Sequence, residues 1–416
     1  MYKVIISRRT LLWILLFLLV FIAITARRPD IILHAQPWAE DGRAFFQGVY
    51  NRGFISYLIS PQDGYYQTLP KLAFGIGLLF GVSKAALVAT IIAISLRCAF
   101  VMFVLSQRFN FIKLQYRIVF CIYFILMPNA IEGYVNITNA HFYLSFYLLT
   151  IILARPPTSL PDKIHDLSIL ILSGLSGPFI IFLAPSLFIK RYSEHGGIMN
   201  AIKKINSFDV IFTCCVLIQA SCIIFGGVDR PHTPLGASLG LLADIISYKV
   251  LFGTFFDLNS VQWVIDTKIA NKTIFVFLVA TLCYFTIKSG WRFKAFIVFP
   301  VIALALALAK PIITLTGVQW PLFFIPIAGG RYFFITGMAV FCFTIFLIDQ
   351  NFKKPTIALI IMMILLAPGF YRSFKMPPLI DVGYNEGINK LQNALPGEKV
   401  IINTNPPGWS MELIKK

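Results

Sequence analysis

Residues 10–26 carry no charged side chain, and an apolar run of that length reaches across the hydrocarbon core of a bilayer. The feature recurs. Apolar spans are expected at about 10–26, 85–106, 116–128, 142–154, 208–226, 273–288, 295–309, 332–348 and 355–369. Few folds are open to such a chain, because backbone polar groups inside lipid must be satisfied within the protein and helices do this segment by segment. Composition agrees: 58% of the 416 residues are hydrophobic and 13% are charged, where a soluble domain carries about 25% charge. The expected fold is an all-α polytopic membrane protein with about nine transmembrane helices (nine to eleven). It divides into a transmembrane domain, 1–369, and a small tail, 370–416.

Two further apolar stretches do not read as simple spans. Leu69–Val82 is short and contains Lys71, Gly75 and Gly77, which suits an interfacial or re-entrant helix in the loop 27–84. The segment 167–189 is interrupted by Gly174-Leu175-Ser176-Gly177-Pro178 and flanked by Lys163, Lys190 and Arg191. A helical hairpin that enters and leaves on one face fits both facts, since broken backbone at membrane depth must line protein or a cavity. At the amino terminus, Ile24 and Ala26 make a poor small-x-small cleavage site and Arg27-Arg28 follow. An uncleaved signal anchor is expected.

The net charge of +18 does not indicate nucleic acid, because Lys and Arg sit between apolar spans. With the amino terminus inside, the six inner segments hold 17 of the 36 bases, from Lys3, Arg8 and Arg9 through to Lys353 and Lys354, against five of the 18 acids. This bias sets the amino terminus in the cytoplasm and the carboxyl terminus outside. All seven cysteines lie in apolar segments without metal-ligand spacing, so they read as core residues. No metal site is expected.

Four polar clusters then fall on the outer face. Glu40 and Asp41, in Trp38-Ala39-Glu40-Asp41-Gly42, follow the first span closely. Neighbouring helical positions point in different directions, so one carboxylate faces a pocket as general base while the other caps, pairs or orients it; the sequence leaves open which. The segment 128–141 gathers Glu132, Asn136, Asn139 and His141 in one short loop, a density of donors and acceptors suited to sugar hydroxyls. Gly329-Gly330-Arg331-Tyr332 opens a span, where a guanidinium matches a phosphate and an aromatic suits headgroup depth. Lys310 is a second phosphate candidate. Asn405-Pro406-Pro407-Gly408 makes a rigid turn that presents Trp409 to a sugar face or the lipid interface. Arg97 lies inside a span, where a base is a functional candidate by default. Each cluster also has a plainer reading, as a solvated acid pair, a capped turn or an interfacial anchor.

Several motifs together carry a resemblance: Pro37 to Gly42 followed by Phe45 and Phe46; Pro61–Leu69; Asn139-Ala140-His141; Leu175 to Pro178; Arg331 to Phe334; and Pro407 to Met411. In order and spacing the chain resembles the phage-encoded serotype-converting O-antigen glucosyltransferases, which are integral membrane enzymes of the GT-C type. The resemblance implies glucose transfer with inversion from undecaprenyl-phosphate-glucose to a sugar of lipid-linked O-antigen, at the periplasmic face of the bacterial inner membrane. It implies functional partners, a donor flippase and a donor-synthesising glycosyltransferase, and no cofactor beyond the lipid-linked donor. Roles follow: Glu40 or Asp41 as base, Arg331 and Lys310 on the phosphate, and Trp38, Glu132, Asn136, Asn139, His141, Tyr332 and Trp409 around the sugars.

Other classes remain in view. An O-antigen acyltransferase needs a catalytic His, for which His34 and His141 are the early candidates. A polymerase suits a large Arg-rich outer loop, whereas 227–272 has only Arg230. A transporter or flippase places polar groups at mid-membrane and often shows repeats, and no repeat is visible here.

Overall fold

The computed structural model describes residues 7–226 and 233–416; Lys3 and Arg230 lie outside the described residues. The chain is mostly helical. Seven described helices are long and apolar enough to cross a membrane. They lie in α1 (Arg8–Arg27), α3 (Ala85–Leu105), α8 (Ser207–Phe225), α9 (Lys268–Lys288), α10 (Trp291–Ala309), α11 (Phe334–Asn351) and α12 (Pro355–Phe374). Between them come α2 (Thr68–Leu79), α4 (Leu114–Leu126), α5 (Ala140–Leu153), α6 (Leu160–Gly174) and α7 (Phe179–His195). The apolar faces of α1, α9 and α12 are largely uncovered by protein, as lipid-facing helices are.

The difference from nine expected spans lies in α4 and α5, which have 13 and 14 residues. At 1.5 Å per residue they reach about 20 Å, short of a ~30 Å core. The cause is local. Pro128 holds Met127 in an extended conformation (ψ 125°) and stops α4. The chain then runs through left-handed Asn129 and Val135 before α5 begins at Ala140. This loop is recessed: Gly133 accepts a hydrogen bond from Arg97, at the middle of α3.

Helices α6 and α7 form the hairpin suggested by the Gly-Pro break. Gly177 takes φ +108°, a conformation that favours glycine. The tip is satisfied by residues 66–69, where Gln67 bridges Ser176 and α2 begins. Thr68 N–H donates to Leu175 O (2.9 Å), Gly177 N–H to Tyr66 O (2.9 Å) and Leu69 N–H to Ser176 Oγ (2.9 Å). Buried Gln219 of α8 donates to Tyr66 O and Gly174 O, and accepts from Tyr66 N–H. Away from the tip, Arg108 forms a bidentate pair with Asp166 in the middle of α6 (2.6 and 2.8 Å), and Lys190 in the second half of α7 lies within their electrostatic reach.

Buried arginines close the helix ends. Arg27 donates to Ile125 and Met127 carbonyls at the end of α4, and to Ser373 and Phe374 carbonyls at the end of α12. Those carbonyls lack intrahelical partners and carry the negative end of each helix dipole.

The tail departs from an all-α reading. Helix α13 (Tyr384–Asn393) precedes an antiparallel hairpin, β1 (Lys399–Thr404) and β2 (Trp409–Ile414), in register Thr404 with Trp409. Val400, Ile402 and Thr404 alternate inward, and residues 405–408 make the turn. The hairpin is not a free appendage. It lies against the π-helical turn Asp41–Phe46 that follows Glu40.

Candidate functional site

The segments 27–66, 127–139, 310–333 and the tail converge at one end of the bundle, and nearly every residue singled out in the sequence lies there. The convergence begins with Asn405. Its N–H donates to Pro37 O (3.1 Å), its carbonyl accepts from Ala39 N–H, and its side-chain amide donates to Gln36 Oε1 (3.0 Å) and Ile380 O (2.9 Å). Trp38 and Asn405 thereby form a parallel bridge. Gly42 is required at this contact: a Cβ there would lie 2.6 Å from Thr404 Cγ2. Ala39, held on this bridge, has φ +47°, a left-handed value that costs a non-glycine residue of order 1 kcal/mol. The turn sends the next two side chains to different places.

Asp41 points inward and is 5% exposed. Its Oδ1 accepts from Thr138 N–H (2.8 Å) and from Thr138 Oγ1–H. Burial pushes the Asp41 carboxyl up to about 7; the Thr138 bonds pull it back, and neighbouring Glu40 adds a smaller upward push. Glu40 is half-buried and its side chain makes no hydrogen bond or ion pair among the described residues. It is close enough to Arg331 to act on it electrostatically.

Arg331 is strongly engaged. It forms an ion pair with Glu132 through Nη1, its N–H donates to Glu132 Oε2 (3.0 Å), and Nη2 donates to Ile312 O (2.9 Å). Tyr332 lies under the guanidinium at 4.9 Å, and its hydroxyl accepts from Ile312 N–H (3.0 Å). Arg331, expected on a phosphate, and Glu132, expected at a sugar, are thus each other's partners in the structure. Lys310, two residues before Ile312, is exposed and has no side-chain partner among the described residues.

The amides are also largely committed. Asn136 Nδ2 donates to Glu132 O (2.8 Å), its Oδ1 accepts from Asn139 N–H (3.0 Å), and Asn139 Nδ2 donates to Glu132 O (3.3 Å). They therefore shape the loop rather than offer open sugar contacts. His141 donates through Nδ1 to Thr138 O, since a carbonyl can only accept; this leaves Nε2 without a hydrogen. Its ring stacks on Phe142 and Phe179 at 4.5 and 5.5 Å and covers Gly177 of the hairpin tip. Trp409 is half-buried, with the Arg43 guanidinium 5.6 Å from its ring. Trp38, also half-buried, flanks Glu40.

Sequence reasoning assigned no contact to Thr138, and took Asn129 only as a member of the segment 128–141 and Asn405 only as the first residue of the turn before Trp409. Thr138 carries the bond that sorts the two carboxylates; its only signal was its place among the asparagines. Asn129 ties the loop to the segment 253–258, donating to Gly253 O and Phe256 O and accepting from Leu258 N–H. Among the described residues, no group of three or more His, Cys, Asp or Glu is arranged to hold a metal. No family model, curated protein or solved structure matches the chain.

Proposed function

We propose that this protein is an inverting glycosyltransferase of the membrane, moving glucose from undecaprenyl-phosphate-glucose to a sugar of lipid-linked O-antigen at the periplasmic face of a bacterial inner membrane. The observation that carries the reading is the division between two adjacent carboxylates: Asp41 is buried and bonded to Thr138, while Glu40 is half-buried beside Arg331, with no hydrogen-bond or ion-pair partner among the described residues. Glu40 is then the base and Asp41 the positioning residue behind it.

In the reaction Glu40 accepts the proton of the acceptor hydroxyl as that oxygen attacks the anomeric carbon. The new glycosidic C–O bond forms on the face opposite the departing phosphate. The old C–O bond breaks and its electron pair leaves with undecaprenyl phosphate. The phosphate needs its charge met more than it needs a proton, and exposed Lys310, with Arg331 shared from Glu132, supplies cationic character. Trp38 and Trp409 flank the carboxylate turn as apolar surfaces for sugar faces.

The test is the mass of O-antigen from cells supplied with the donor pathway and either the parent chain, Glu40→Gln or Asp41→Asn. Added hexose with the parent, loss of at least roughly 100-fold in Glu40→Gln, and partial activity in Asp41→Asn is the expected pattern. The reverse ranking assigns the base to Asp41. No hexose from parent protein present normally in the membrane removes the glucosyltransferase reading for that acceptor.

A further inference from the structure

His141 lies behind the carboxylate turn, and no step of the proposed transfer uses it. At the entry to α5 the carbonyls of Ile137 and Asn139 accept from the Ala140 and Phe142 N–H groups. Thr138 O falls between them, and among the described residues its donor is the His141 ring, through Nδ1. The ring is itself fixed. It stacks on Phe142 of its own helix and on Phe179 at the start of α7, and a Cβ placed on Gly177 at the hairpin tip would come within 3.5 Å of its edge.

Thr138 is the residue that meets Asp41. It is 8% exposed, and its N–H and its hydroxyl both donate to Asp41 Oδ1. Two bonds converging on one oxygen demand a fixed backbone and a fixed rotamer at residue 138, because hydrogen bonds weaken steeply when misaligned. Residue 138 precedes α5, so the regular ladder of that helix does not hold it. The bond from His141 to its carbonyl removes that freedom, and a buried carbonyl left unpaired is unfavourable. The charged groups that act on this chain are Glu40 on Asp41 and Arg331 on His141.

We propose that His141 is a positioning residue for Asp41, acting through Thr138 and tying the carboxylate pair to the tip of the α6–α7 hairpin. Its part is that of a neutral ring donating one hydrogen bond. The consequence for transfer rests on the reading of Glu40 and Asp41 above; the consequence for Asp41 does not.

The test separates the hydrogen bond from the ring. His141→Phe keeps an aromatic between Phe142 and Phe179 and loses the donor. His141→Asn loses the ring but carries an amide N–H as many bonds from the backbone as Nδ1. Neither has the imidazole's own titration, so the two are compared with each other, as purified full chain in detergent, by unfolding temperature from pH 4 to 9. The Thr138 bonds pull the Asp41 carboxyl down, so loosening them lets it rise. Expected is a fall in stability with pH that levels off near 7 in His141→Asn and about one pH unit higher in His141→Phe. With the lipid-linked donor and acceptor, His141→Phe should lower kcat about 10- to 100-fold at unchanged KM, and His141→Asn should recover part of it. The parent protein gives a readout that does not need His141→Phe to fold: the histidine nitrogen-NMR signal that disappears in His141→Asn should report the Nδ1–H tautomer. An Nε2–H tautomer, equal levelling points in the two variants, or a raised KM with kcat intact would each overturn the proposal. Parent protein that transfers no glucose removes the transferase reading, while the pH comparison still decides the role of His141.

Discussion

At the scale of single residues, Asp41 makes a prediction that is separate from catalysis. Its folded carboxyl titrates near 7, above the ~3.9 of an unfolded chain. Between about pH 4 and 7 the folded protein therefore keeps a proton that the unfolded chain has lost. Stability falls as pH rises through that window, by up to about 1.4 kcal/mol per pH unit, and levels off above it. Asp41→Asn keeps an oxygen for Thr138 and removes the titration. Unfolding temperatures of parent and variant compared from pH 4 to 8 should converge toward the acid end and diverge toward neutrality; parallel curves would mean that Asp41 is ionised in the fold. Thr138→Val keeps the backbone donor and the volume but deletes the hydroxyl. A loss of about 1–3 kcal/mol is expected, with a fall in transfer but no change in membrane level.

Among elements, the hairpin tip and the tail matter most. Gln219 satisfies both polar groups of Tyr66 and the Gly174 carbonyl. Gln219→Leu strands the Tyr66 N–H and the Gly174 carbonyl, while Tyr66 O keeps its bond from Gly177 N–H, and should destabilise by roughly 1–3 kcal/mol for each group left unpaired, read as a lowered unfolding temperature in detergent. Asn405→Ala removes the side-chain bonds to Gln36 and Ile380. Protease sensitivity within 27–66 should rise and hexose transfer should drop, although the tail lies far from this loop in sequence. Unchanged cleavage would show that the β-pairing alone holds the turn.

Across the whole molecule, charge is used in two ways. Basic segments at one end of the bundle, such as Lys353-Lys354 and Lys203-Lys204, fit the orientation argument. Arg27 and Arg117 instead turn inward onto helix-end carbonyls. Reporter fusions check the first use: a fusion after Lys204 should report the cytoplasm and one after Lys416 the periplasm, and both on one side would break the topology. Arg27→Met tests the second, since it unties α1 from α4 and α12 at once and should sharply lower the amount of folded protein in the membrane.

Much of this was legible in the sequence because hydrophobic periodicity and breakers act locally. The seven long spans and the broken stretch at Gly174–Pro178 follow from residue types and their neighbours alone. The β-hairpin has a local signal too, the alternation in Val400 to Thr404 before a Pro-Gly turn. The sequence by itself also determined that Glu40 and Asp41 sit just beyond the first span. Only the tertiary structure decided which of them is buried, because that depends on Thr138, nearly a hundred residues away, and on Asn405 in the tail. The same holds for Arg331, whose apparent freedom vanishes once Glu132 is brought beside it. Long-range pairing of polar groups follows from how helices of unequal length leave a recess between them, and no local pattern encodes that.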